Sequence, residues 1–489
     1  MSKQQTIVIL GGGTAGWMTA NLLHLQLAKH GFKVLVIESP EIGIIGVGEG
    51  STPQLKVFFD LLGITEQQWM PQCDATYKYG IRFNAWTEHK EAPNTYFHPF
   101  PASTDGHSAK AFLGATHYLR SGQPAAPHPD RYFLATYLAT ANKTPKLKNP
   151  STALPAVSYG YHFDSYKLGA YLKRHGEDQG IETMSATIAS AQAEHGNILS
   201  LTTTDNTTIT ADWFFDCSGF NSILLQKTLH VPFESFADHL YNDSAIATPT
   251  PCQGQELGQT EATALSAGWA WRIPLQSRIG NGYVFSSHYK SFAEAETEFC
   301  EHLGLDPNTA SFRRIKMRVG QVAQHWSGNC VGVGLAQGFI EPLEATALHL
   351  VQETVTQFIG AFTAGNFTTR HQNQFNEVIK QRFLGVKDYI TGHYVLNQRT
   401  DSRYWEDCRS TVKPTPSLNK IMACWASNGD LQQLLQEQGL AAYYPSISWY
   451  CLLSGYHTYQ DSHLAQWQND NTTVQEVARF LHEQCALFA

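Results

Sequence analysis

Thr6-Ile7-Val8-Ile9-Leu10-Gly11-Gly12-Gly13-Thr14-Ala15-Gly16-Trp17 is the stretch whose reading decides the fold. The apolar, β-branched run 7–10 predicts a strand buried on both faces. Gly11, Gly13 and Gly16 form G-x-G-x-x-G, and residues 15–30 then read as a helix closed by Gly31. Glycines there let the backbone turn tightly and approach a pyrophosphate, which the free N–H groups and dipole of the helix start favour. A second strand at 32–37 delivers Glu38 where a ribose-binding acid belongs. Strand, glycines, helix, strand and acid in that order imply dinucleotide binding. A purely structural glycine turn leaves Glu38 unexplained.

The 489 residues can bury a large core and hold two or three structural units. A charged fraction of 16% and a net charge of −8 point away from nucleic acid and anionic membranes. Aromatics make up 12% of the chain, which suits a flat aromatic ligand and also suits a large core. Nine scattered cysteines without a C-x-x-C pair give neither a zinc site nor a disulfide framework, and no metal is expected. The chain enters a core strand almost at once, and no apolar run approaches the roughly eighteen residues of a membrane span. The expectation is a reduced, soluble, cytoplasmic protein.

After Glu38, the glycine-rich stretch 39–53 reads as a loop lying against a flat ligand. Residues 53–70 read as helical, 76–86 as strand-like, and 87–160 as irregular cap structure with helices near 108–120 and 131–142. A helix at 165–175 leads into alternating stretches with a hairpin turn at Asp205-Asn206. Another buried strand starts at Trp213, and 269–275, 283–288 and 313–319 suggest a meander. A strand near 330–334 hands over to a long helix reaching about 364, and the chain is helical from 371 onward. A βαβ opening followed by a cap and β insertion, rather than further βα units, resembles the two-domain flavoprotein fold. FAD is therefore the expected cofactor.

Several residues converge on one family. Gly11-Gly12-Gly13-Thr14-Ala15-Gly16-Trp17-Met18 resembles the FAD fingerprint of the flavin-dependent halogenases, of which the tryptophan halogenases are best known. Gly46-Val47-Gly48-Glu49 with Pro53 is similar to the family's next FAD loop, and Trp269-Ala270-Trp271-Arg272-Ile273-Pro274 matches its W-x-W-x-I-P signature. Lys78 stands in the Tyr-Lys context of the family's active-site lysine. Glu341-Pro342-Leu343-Glu344 with Thr346 resembles the stretch holding its second catalytic residue and halide site. The resemblance runs to about residue 360 and thins afterwards.

The resemblance implies an α/β, glutathione-reductase-like FAD-binding fold, a Rossmann-like βαβ unit plus mixed sheet, with a largely helical C-terminal region covering the substrate. Residues 1–95 and 155–365 would form the FAD module with its β insertion, and 96–154 and 366–489 the cap. Gly11, Gly13, Thr14, Ala15, Gly16, Glu38, Ser39, Ile42, Val47, Gly50, Leu335 and Leu348 would contact FAD. Thr346 and Ala347 would hold the halide, and His98, Phe100 and Trp449 an indole-like ring. Trp269, Trp271, Ile273 and Pro274 mark family membership more than a role.

The implied chemistry is oxidation of chloride or bromide to hypohalous acid by reduced FAD and O2, in a site closed to solvent. Lys78 would hydrogen-bond or capture that oxidant and aim it at one carbon of an electron-rich ring. Glu344 would hold the lysine and stabilise or deprotonate the cationic ring. A separate flavin reductase would supply FADH2 by diffusion, and homodimers are common among such proteins.

Each residue also has a plain structural reading. A lysine opening a strand is usually a surface residue, and Glu344 could simply stabilise a helix start. Trp269 and Trp271 could be core, His98 and Phe100 ordinary loop residues, and Glu49 a loop acid. The family's F-x-x-P-x-x-S-x-G also departs here, with Ala345 for the serine and Ala347 for the glycine. A Cβ at 347 disfavours the positive φ open to glycine, so halide affinity or loop geometry is expected to differ. Two alternatives share the fold: a single-component FAD aromatic hydroxylase and a non-catalytic flavin-binding protein. The stretch 332–338 lacks the Gly-Asp pair of the hydroxylases, and no second nucleotide fingerprint is visible.

Overall fold

The computed structural model describes residues 4–41, 48–88, 93–152, 154, 156–252, 254–468 and 472–489. Ile42 and Val47, with residues 43–46 between them, lie outside the described residues. The chain divides into two compact units, Met1–Ala75 with Phe163–Ala237 and Arg318–Leu384, and Thr76–His162 with Asp238–Met317 and Gly385–Ala489.

In the first unit, strand Gln5–Leu10 is the middle of a six-stranded sheet. It pairs in parallel with Phe32–Glu38 on one side and Trp213–Asp216 on the other, and Cys330–Gly332 extends the sheet beyond the latter. Ile7, Val8 and Ile9 are fully buried, as a two-sided parallel strand requires. Helix Thr14–Leu27 lies against helices Ser165–Asp178 and Ala347–Ala364. Trp17 is fully buried, and its ring lies beside Gly176 of Ser165–Asp178, so this tryptophan of the fingerprint is a packing residue. Asp216 is also structural: its carboxylate accepts from the N–H groups of Ser218, Leu224 and Leu225.

The second unit is built on a seven-stranded sheet in the order Arg313–Lys316, Ser244–Thr250, Ile279–Phe285, Gly268–Pro274, Thr260–Leu265, Gly80–Asn84, Thr95–Pro99. The expected meander is thus only partial, since Arg313–Lys316 pairs with Ser244–Thr250 rather than with its nearer predecessor Ile279–Phe285. Short helices make up most of the chain after 402.

Three expectations need correction. Residues 53–70 are two helices, Gln54–Leu61 and Glu66–Trp69, separated where Gly63 takes φ +70° and Thr65 and Gln68 form a capping box. Residues 95–99 are a strand, not irregular cap; its proline is tolerated because the strand is the outermost of the sheet. Gly160–Asp164, placed at the end of the irregular region and in the run-up to a helix, is a strand with all five residues buried.

Candidate functional site

The expected site residues fall in both units. In the first, an added Cβ at Gly11, whose φ is +120°, would collide with the Cys217 carbonyl, and one at Gly16 with the Gly11 carbonyl. These two glycines are needed for close backbone packing. Gly13 is different: it is the N-cap of helix Thr14–Leu27, and a Cβ there would meet nothing within 4 Å. The helix has no side-chain cap and no acid in its first turn, so no capping side chain satisfies its first N–H groups. Gly334 approaches Ala15 closely enough that a Cβ would sit 2.9 Å from the Ala15 Cβ, placing Leu335 beside the glycine turn. A bare helix start behind an open glycine fits the FAD pyrophosphate.

Glu38 folds over Gly12 and is ion-paired with Lys173. The Ser39 hydroxyl lies 2.7 Å from that of Thr187. Gly50 ends the short strand Gly48–Gly50, and Glu49 in its middle is hydrogen-bonded to Ser165. Burial, opposed by that bond and reinforced by the Asp164 charge, pushes the Glu49 carboxyl up to about 7.

The second helix start in this unit carries Glu344, which is 3% exposed, and Glu341, which is fully buried. Pro342–Glu344 forms a 3-10 turn, Ala345 takes φ +56°, and helix Ala347–Ala364 follows with Leu348 in its first turn. The expected strain therefore lies elsewhere. Ala347 is helical, whereas Ala345 adopts the left-handed conformation that joins the turn to the helix. Thr346 is the N-cap and makes no side-chain cap bond.

In the second unit the stretch 76–86 is split, and the split positions Lys78. Thr76–Lys78 pairs with the opening of Gly160–Asp164, while Gly80–Asn84 joins the large sheet. Tyr79, between them, donates its N–H to Gly258 O at 2.8 Å. Lys78 is not the surface lysine of the plain reading but fully buried, with Nζ 5.3 Å from the centre of the Phe100 ring. Register places Thr76 opposite His162, on the same strand face as Lys78. The Thr76 hydroxyl donates to Pro274 O at 2.7 Å, so it accepts from His162 Nδ1 at 3.1 Å. That leaves His162 Nε2 to accept from the Thr260 hydroxyl at 2.9 Å. Burial, followed by the Lys78 charge, holds His162 well below the usual imidazole pKa, so a neutral histidine ties the lysine strand to strand Thr260–Leu265, while Thr76 itself reaches the end of the Trp-Ala-Trp-Arg-Ile-Pro strand.

Trp269 and Trp271 lie on that strand with ring centres 6.2 Å apart. Trp271 covers Gly282 of the neighbouring strand, where a Cβ would enter the indole ring. Ile273 and Pro274 complete the strand and are buried. Sequence reasoning missed Tyr389, which joins two of the expected substrate residues. Its hydroxyl donates to Ser448 O at 3.0 Å and therefore accepts from His98 Nε2 at 3.3 Å. Trp449 meets the Tyr389 ring edge-on at 4.7 Å, and Tyr444 stacks on it at 3.6 Å. The only sequence signal for Tyr389 is an aromatic residue within a helical stretch, which is indistinguishable from core.

Among the described residues no cluster of three metal-ligating side chains occurs, and no helix is long and apolar enough to cross a membrane.

The family model described as tryptophan halogenase matches residues 6–469. A 7-chloro-L-tryptophan 6-halogenase from Kutzneria sp. (strain 744) is 34% identical over 92% of this chain and 90% of its own length. A tryptophan 7-halogenase from Lentzea aerocolonigenes is 32% identical over 97% and 94%. The structure of a flavin-dependent halogenase from Brevundimonas sp. BAL3 superposes with a TM-score of 0.83, at 30% identity, over 100% of this chain and 97% of that one. These similarities favour neither the hydroxylase nor the carrier alternative. The chain belongs to the tryptophan halogenase family, flavin-dependent enzymes that use FADH2 and halide and act with a separate flavin reductase on an aromatic substrate.

Proposed function

We propose that this halogenase transfers chlorine or bromine to an electron-rich, indole-like ring, with Lys78 directing the transfer. The observation that carries the reading is the complete burial of Lys78 on a strand held by the neutral His162. Sequestered from water, an ammonium or amine is a directing group for a reactive oxidant rather than a solvated surface charge. Two of the relatives named above, from Kutzneria and Lentzea, are tryptophan halogenases, which supports an indole-like substrate.

Reduced FAD with O2 supplies the oxidising power that converts halide to hypohalous acid. The open helix start at Gly13, with Thr14, Ala15 and the packing glycines Gly11 and Gly16, holds the pyrophosphate. Glu38 and Ser39 take the ribose side, and Gly50, Leu335 and Leu348 border the rest. Thr346 and Ala347 offer backbone N–H groups at an uncapped helix start, which suits a halide. Lys78 Nζ hydrogen-bonds the hypohalous acid or carries its halogen. His98, Phe100 and Trp449 hold the ring, with Tyr389 fixing His98. Glu344 accepts the proton released when the ring regains aromaticity. The reductase hands over the cofactor by diffusion.

The test is conversion of indole with FAD, NADH and a generic flavin reductase, in parallel with chloride and bromide, read by mass spectrometry. Halogenated product is expected, and Lys78→Ala should lower its rate by about 10³-fold or more while FAD still binds. Equal product from Lys78→Ala would overturn the role of the lysine. NADH consumption without the reductase would instead indicate a hydroxylase.

A further inference from the structure

Strand Thr95–Pro99 carries His98 and leads into Phe100, yet it is the last strand of its sheet and has a strand neighbour on one side only. That neighbour is Gly80–Asn84, in antiparallel register with Arg82 opposite Phe97 and Asn84 opposite Thr95. On the outer side, where a further strand would pair, side chains take its place. The His128 Nε2–H donates to Thr95 O at 3.1 Å, and the Phe97 N–H donates to Asp130 Oδ1 at 2.6 Å. Both side chains come from one short stretch, the 3-10 turn Pro129–Arg131 and the residue before it.

Asp130 has a second hold on the same residue. Its Oδ2 is ion-paired with Arg82, whose guanidinium lies 5.3 Å from the centre of the Phe97 ring. Phe97 is thus gripped by its backbone directly and by its ring through Arg82. Both side chains of the pair are largely buried, and Phe97 is fully so. The bonds from the Phe97 N–H and the guanidinium to this carboxylate are charge-assisted, and stronger than the neutral bonds an ordinary strand partner would make. Without Asp130 the buried Phe97 N–H loses its acceptor, which is costly.

Successive side chains of a strand point to opposite faces, so a twist at Phe97 is passed directly to His98. Further along, the Phe100 N–H donates to Tyr79 O at 2.9 Å, and its ring lies 5.3 Å from Lys78 Nζ. The bond of His98 to Tyr389 and that of Phe100 to Tyr79 tie down the substrate residues themselves. Asp130 ties down the strand between them from its free edge.

We propose that Asp130 is a positioning residue for halogenation: by clamping Phe97 at the open edge of the sheet, it fixes where His98 and Phe100 hold the aromatic ring. This rests on the reading of His98 and Phe100 as substrate residues.

The test measures indole affinity by calorimetry on the full chain, with KM and kcat for its halogenation and the melting temperature alongside. Asp130→Ala is expected to weaken indole binding and raise KM about 10-fold, with FAD affinity unchanged. Asp130→Asn keeps an acceptor for the Phe97 N–H but not the charge, and should show a smaller change of about threefold. Tyr283→Phe is the control for simple loosening of the same sheet. It removes a hydroxyl that donates to Glu298 at 3.0 Å, three strands away from the edge strand, and should lower the melting temperature without weakening indole binding. Wild-type affinity for indole in Asp130→Ala overturns the proposal, as does an equal loss of affinity in Tyr283→Phe. If Asp130→Ala does not fold, Asp130→Asn decides, and wild-type affinity in that variant has the same force. Failure of the wild type to bind indole sinks the substrate reading and the clamp together. Indole binding without halogenation removes only the halogenase reading, and the affinity ratio between wild type and Asp130→Ala then decides the clamp alone.

Discussion

The two units carry most of their proposed functional groups by different means. In the first, beside the Glu38 and Glu344 carboxylates, the features are backbone: glycines that allow close approach, and two helix starts, after Gly13 and Thr346, that lack side-chain caps. In the second they are side chains brought together from remote segments, such as Lys78 beside Phe100 and His98 joined to Tyr389 across 291 residues. Backbone devices tolerate changes of side chain but not changes of conformation. Side-chain assemblies have the opposite sensitivity.

The sharpest way to break that comparison lies within the glycine turn itself. Gly16→Ala drives a Cβ into the Gly11 carbonyl and should destabilise the first unit by about 3 kcal/mol or more, read as loss of folded, flavin-binding protein. Gly13→Ala places the same methyl in open space. It should leave the melting temperature within a few degrees of wild type and weaken FAD binding by about tenfold, because the methyl intrudes on the proposed pyrophosphate site. Equal melting temperatures for the two variants would remove the distinction between packing and binding glycines.

A smaller effect is expected at Glu49, in the middle of the short strand Gly48–Gly50 of the first unit. Its folded pKa of about 7 exceeds its ordinary value of 4.5, so the folded state binds more protons between these limits. Its contribution to stability therefore falls as pH rises through that window. Glu49→Gln lacks this loss and should gain about 1–3 kcal/mol over wild type between pH 4.5 and pH 8, measured by denaturant unfolding of the cofactor-free protein. A constant difference across pH would mean that the carboxylate is solvated.

The smallest effect is expected at Ala345. A non-glycine residue at φ +56° is strained by about 1–2 kcal/mol, offset in part by the freedom glycine adds to the unfolded chain. Ala345→Gly should thus stabilise the protein by up to about 1 kcal/mol in thermal melting. Ala347→Gly, inside the helix, should destabilise it by a similar amount.

The strand-turn-helix at the N-terminus was legible because local spacing alone determines it: β-branched residues, glycines and helix signals lie side by side. Lys78 and Glu344 were singled out by resemblance, since nothing in their local pattern distinguishes a buried lysine from an exposed one. Strands Thr95–Pro99 and Gly160–Asp164 were not legible. The first contains a proline and sits at a sheet edge, and the second has no alternation because every residue is buried. Tyr389 and His162 were invisible for a further reason: each gains its meaning only from a partner on another segment. The strain at Ala345 was misplaced by two residues because helix boundaries are poorly marked in sequence.

The ion pair between Glu38 and Lys173 bears on how quickly this enzyme can be reloaded. Lys173 gives Glu38, the acid proposed to take the ribose, a counter-charge of its own, so departure of FAD would strand no bare carboxylate. Arrival and departure would then amount to a swap of partners at Glu38, lowering the barrier to release. Lys173→Met should lengthen the residence time of FAD, and in a protein that must accept freshly reduced cofactor for each turnover, a longer residence time means slower recharging.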